Sequence, residues 1–189
     1  MRTQIFKRVV LGLMVLGLTL SMLAVFGCGG GDDNEEVQRT ANLRGANERP
    51  VPDLTTPGSG TALLTVNADQ TEIGFVLTYN NLTNVTQAHI HVGGADVTGD
   101  IILFYCTNVG GSPPPPPGTV GLQACPQGSS VTVTGTLKAI DLIPRNATAT
   151  NPAVLTFQDA ITQLLAGNTY SNVHTQRDPG GEIRAQNLP

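Results

Sequence analysis

The stretch from Thr61 to Tyr79 reads "TALLTVNADQTEIGFVLTY". Two runs alternate with period two around a polar turn. Ala62, Leu64 and Val66 fall on one face of the first run, and Ile73, Phe75, Leu77 and Tyr79 on one face of the second. Successive side chains of a strand point to opposite faces, so this spacing predicts a β-hairpin with one buried side. An isolated hairpin is marginal in water, so further strands or a second layer must cover that side.

The same signature recurs along the chain. In "QAHIHV", Ala88, Ile90 and Val92 point one way and Gln87, His89 and His91 the other. "VTVTGTLKAI" sets Val131, Val133 and Leu137 against Thr132, Thr134 and Thr136. "DIILFYC" is apolar on both faces, as expected of a central strand. A single helix is predicted over about residues 157–166. Thr156 is its N-cap, Asp159 lies in its first turn, Ala160, Ile161, Leu164 and Leu165 form its apolar stripe, and Gly167 stops it. "TYSNVHT" is extended, "RDPGG" turns, and "EIRAQ" makes the last strand. The expected fold is therefore mainly β: an antiparallel Greek-key sandwich or barrel with one short helix.

The N-terminus has a different character. Arg2, Lys7 and Arg8 precede an almost unbroken apolar run from Val9 to Phe26, followed by "GCGGGDDNEE". A basic start, an apolar core and a small-residue exit are the marks of an export signal, and this one resembles a bacterial lipoprotein signal. Residues 1–27 are thus expected to be the signal, Cys28 the lipidated first residue, residues 28–40 a flexible tether, and residues 41–187 the folded domain. Loss of the three leading bases leaves seven Lys and Arg against 14 acids, a net charge of about −7. That balance opposes nucleic-acid binding. The expected location is extracytoplasmic, anchored to the bacterial cell envelope through the lipid on Cys28. Cys106 and Cys125 are then expected to form a disulfide, worth about 3 kcal/mol for a loop of roughly 20 residues. The five prolines inside that loop favour a polyproline II spur.

The segments "ANLRGANERPVPDLTTPGSGTALLTV", "LTNVTQAHIHVGG" and "LLAGNTYSNVHTQRDPGGEIRAQ" follow one another in an order that resembles a CHRD domain. This is the repeat of the animal protein chordin, also found singly in bacterial exported proteins. The resemblance implies a compact, mainly antiparallel β domain with no established catalytic activity. The Cys106–Cys125 insertion departs from the pattern, as does Ala185 where the family often has glycine. Growth-factor binding by chordin belongs to its other modules and is not implied here.

All three histidines of the chain, His89, His91 and His174, lie within these segments. On a strand, His89 and His91 share a face with Cβ atoms about 7 Å apart. With His174 on a neighbouring strand they could hold one copper or zinc ion. The alternative is structural: neutral imidazoles that hydrogen-bond loops to the sheet, His174 beside Glu182 or Arg184, with those two residues paired across one strand face. The His-x-His strand is similar to that of copper–zinc superoxide dismutases, but a dinuclear site needs more than three histidines. No phosphate-binding glycine loop or nucleophile elbow is present, no carboxylates pair in an evident cleft, and there is no tryptophan. Two functions remain. One is a non-enzymatic, envelope-tethered module that binds or assembles with an unidentified protein or envelope partner and needs no cofactor. The other is a mononuclear copper- or zinc-binding or redox protein.

Overall fold

The computed structural model describes residues 35–50, 54–108 and 122–189. The signal, Cys28 and the proline run lie outside these residues.

Eight strands form one antiparallel sheet: β1 (Val37–Arg44), β2 (Ser59–Val66), β3 (Ile73–Asn80), β4 (Val85–Val92), β5 (Ile101–Thr107), β6 (Ser130–Leu137), β7 (Thr169–Thr175) and β8 (Ile183–Gln186). Their spatial order is β5-β4-β7-β8-β1-β2-β3-β6. The predicted hairpin is β2–β3, paired over eight residues from Ser59↔Asn80 to Val66↔Ile73. The sheet curls until β5 and β6 face each other, giving a nearly closed barrel. Gln123 bridges the remaining seam: its side-chain amide donates to the Tyr105 carbonyl at 3.3 Å and to the Thr134 carbonyl at 3.0 Å. Its own carbonyl accepts from the Thr107 amide. The Cys106–Cys125 disulfide, with Cα atoms 5.0 Å apart, fastens the bridging segment to β5.

The inner face is the core. It collects Ala62, Leu64, Val66, Ile73, Phe75, Leu77, Tyr79, Val131, Val133 and Leu137 from the alternating strands, with Ala88, Ile90, Val92 and Val173 from β4 and β7. Each fully buried aliphatic side chain contributes about 1.5–3 kcal/mol. One helix, α1 (Phe157–Leu165), packs on this core through Phe157, Ala160, Ile161 and Leu164. Its start is a capping box: Thr156 Oγ1 accepts from the Asp159 amide at 3.1 Å, and Asp159 Oδ2 accepts from the Thr156 amide at 2.8 Å. Gly167, at φ +74°, ends it in the left-handed conformation that glycine tolerates.

Two expectations are corrected. The tether does not extend to residue 40, because Val37–Thr40 already pair with Leu63–Val66. Backbone pairing orders this stretch although it has little to bury. "DIILFYC" is not central: β5 ends the strand order. Its outward residues Ile101 and Phe104 are buried against Ile143, with Leu122 packed alongside, so both faces are covered without a ladder on both edges.

Candidate metal centre

β4 pairs with β7 in a register that sets His91 opposite Tyr170, His89 opposite Asn172, and Gln87 opposite His174. Ala88, Ile90 and Val92 enter the core, so His89 and His91 point outward, as do Tyr170, Asn172 and His174 on β7. This outer face is covered nonetheless. Residues 93–100, the 177–181 turn and Glu48 lie over it, and the three histidines are 0%, 7% and 6% exposed in chain order.

The imidazoles cluster. Ring centroids are 5.5 Å apart for His89–His91, 4.8 Å for His89–His174 and 6.2 Å for His91–His174. One ring nitrogen from each lies within 4.8 Å of the others. Three nitrogens bound to one ion at about 2.0–2.1 Å stand roughly 3.5 Å apart, so binding requires a contraction of about an ångström.

Two backbone carbonyls set the tautomers. His91 Nδ1 lies 3.0 Å from the Gly99 carbonyl, and His174 Nδ1 lies 2.9 Å from the Pro179 carbonyl. A carbonyl only accepts, so Nδ1 carries the proton in both rings and Nε2 keeps its lone pair. This is how protein groups commonly orient metal-binding imidazoles. His91 Nε2, His174 Nε2 and both nitrogens of His89 are buried without a hydrogen-bond partner. The contrast with the barrel interior is direct. There Tyr105, Ser171, Asn187 and Thr169 form an unbroken chain of side-chain hydrogen bonds.

Aromatic groups wall the cluster. Phe104 meets His89 edge-on at 4.4 Å, and Tyr170 stacks on His91 at 4.6 Å with 6° between the planes. The Arg184 guanidinium lies 3.4 Å over the Tyr170 ring. It donates to the Gly94 and Val97 carbonyls, each at 2.8 Å, which ties the covering loop to the sheet.

Burial dominates the electrostatics. It pushes His89 well below the usual histidine range, helped by the charges His174 and His91 would carry. It pushes His91 down to about 3 against the opposing pull of the Gly99 carbonyl. His174 is lowered for the same reason, opposed by the Pro179 carbonyl. All three are neutral at pH 7, the form that binds metal. Glu48 is pushed up to about 8, chiefly by burial, while its hydrogen bond from Asn172 pulls the other way.

Glu182 and Arg184 do not pair. Glu182 accepts from Thr175 Oγ1 at 2.6 Å, from Arg177 at 2.7 Å and from Thr56, because the turn places Arg177 within reach. Arg184 is committed to Tyr170 and the 94–97 loop. Nor does His174 bond to either residue; Pro179 takes that place. Cys106 and Cys125 are bonded to each other. The sequence reading missed Tyr170, Phe104 and Glu48. Tyr170 was available from period two in "TYSNVHT", since Tyr170, Asn172 and His174 share a face. Glu48 reaches this face from distant sequence and carried no local signal.

An antiparallel barrel with a covered polar outer face and three converging imidazoles defines a small β domain with a ligand-ready histidine cluster. The model of the CHRD domain matches residues 39–187. The chain belongs to the CHRD domain family, and no catalytic activity comes with that membership. Searches of curated proteins and of solved structures gave no match.

Proposed function

We propose that this chain is an extracytoplasmic, lipid-tethered β module that binds one copper or zinc ion through His89, His91 and His174. One observation carries the metal reading. Four imidazole nitrogens are buried at one place without a protein partner. Leaving such a group unsatisfied costs about 1–3 kcal/mol, and a single cation uses the converging lone pairs. The Gly99 and Pro179 carbonyls hold two rings in the tautomer that presents Nε2 inward. The paired cysteines and the sequence before Cys28 support the compartment and the anchor.

The test is a thermal melt of the purified domain with copper or zinc. Ligand at 100 times its Kd stabilises by about 2.7 kcal/mol, so the wild-type Tm rises by several degrees. His89→Leu abolishes the rise. It also leaves the metal-free domain as stable or more stable, because it removes a buried imidazole with no partner. A purely structural His89 would make that variant less stable. A wild-type Tm indifferent to both metals overturns the reading. For the anchor, intact mass of the exported protein should show lipid on Cys28, and Cys28→Ser should lose it.

A further inference from the structure

We propose that the cluster is selective for copper(I), held three-coordinate by the histidines alone. This rests on the metal reading above and narrows it. Three features argue for it.

The first is the donor set. Among the described residues, the only group of three or more His, Cys, Asp or Glu side chains poised to share an ion is His89, His91 and His174. No carboxylate or thiolate joins them, so the ligands bring no negative charge. The fixed charges that act on His91 are positive. Arg184 and Arg145 both act on His91 as cations, and Arg145 is fixed by its Nε bond to the Ile101 carbonyl at 2.8 Å. Glu48, the carboxyl buried on this face, is largely protonated at pH 7. The cost of burying an ion grows with the square of its charge. A dication would keep its full +2 in this setting, whereas a cuprous ion brings +1.

The second is the missing fourth position. Zinc in protein sites is almost always tetrahedral, with water completing an open site. Here the edge contact of Phe104 with His89 and the stacking of Tyr170 on His91 occupy the flanks. The Tyr170 hydroxyl is engaged at Gly99, accepting from its amide at 3.0 Å. Cuprous ion, with a filled d shell, is stable with three ligands and needs no water.

The third is burial. None of the three rings is more than 7% exposed, so an approaching water would have to displace a wall residue or a covering loop.

The experiment titrates the full exported protein under anaerobic conditions. Copper(I) is delivered against a chromogenic cuprous chelator, zinc(II) against a zinc indicator, and X-ray absorption reads the copper shell. One equivalent of copper(I) should bind at least tenfold more tightly than zinc(II). The absorption spectrum should show three nitrogen scatterers and no fourth ligand. His89→Leu should lose copper(I) binding; retention would put the ion elsewhere and overturn the proposal. Zinc bound as tightly or more tightly, or a fourth ligand on copper, overturns copper(I) selectivity while leaving a metal site. Failure to bind either metal overturns both readings.

Discussion

The barrel has two outer faces of opposite character. On β2, β3 and β6 the outward residues form a grid across three strands: Thr61, Thr78 and Thr132 in one row, Leu63, Val76 and Thr134 in the next, Thr65, Gly74 and Thr136 in the third. None is charged and none is buried. On β4, β7 and β8 the outward residues His89, His91, Tyr170, Asn172, His174 and Arg184 are all buried, and Gln186 at the end of β8 is half-buried. The two faces rest on one continuous core, so the difference lies in what covers them. Water satisfies the threonines. The covered face has to satisfy itself, and its unpartnered buried atoms gather at the imidazoles, which supply four of them. A polar residue under a covering loop therefore says more about ligands than the same residue in the open.

Acid should separate the faces most strongly. The three histidines have folded pKa values below the ordinary 6.5. The unfolded chain thus binds more protons as pH falls below 6.5, and metal-free stability falls with it. Each histidine contributes up to about 1.4 kcal/mol per pH unit, and the loss continues toward the folded pKa, about 3 for His91. Denaturant melts at stepped pH check this, and His89→Leu should make the slope shallower by one proton. Glu48 works in the opposite direction. Its raised folded pKa of about 8 makes stability fall as pH climbs from 4.5 through 8, so Glu48→Gln should flatten the alkaline side.

Arg184→Ala is next in size. It strips the donor from the Gly94, Ala95 and Val97 carbonyls and the cation from Tyr170. A loss of about 3 kcal/mol or more is expected in equilibrium unfolding. Metal affinity should weaken as well, because the loop carrying Gly99 is freed. Replacing Cys106 and Cys125 together by serine should cost about 2–4 kcal/mol, read the same way, with the seam loosened and the histidine face less affected. Thr132→Ala on the open face should change stability by no more than about 0.5 kcal/mol. A large cost there would mean that this face is also covered.

How much of this the sequence disclosed depended on the face. The hairpin at β2–β3 and strand β6 were legible because one side meets the core and the other meets water, the condition that writes period two into a sequence. The helix was legible because Thr156, Asp159 and Gly167 mark its ends chemically. β5 misled because a residue run apolar on both faces reports only that both faces are covered; the outer cover, Ile143 with Leu122, comes from a later loop. "AHIH" and "NVHT" drew attention as the sole histidine stretches, but nothing local disclosed that their outward side was buried. That depended on the carbonyls of Gly99 and Pro179, eight residues from His91 and five from His174. The guess that Glu182 pairs with Arg184 failed for a related reason. Strand alternation says which side a residue leaves from and says nothing about the nearer partner, Arg177, waiting in the turn.

Because the β5–β6 seam is bridged by the Gln123 segment instead of by a ladder, the Tyr105 and Thr134 carbonyls and the Thr107 amide depend on that segment, and its withdrawal would leave them to a foreign strand. Edges exposed in that way template aggregation and domain exchange. The disulfide holds the segment that screens them. A chain that folds before its cysteines are oxidised would then carry two adhesive borders at the place where it is least closed. Oxidation of that cysteine pair would then guard the seam against strand exchange.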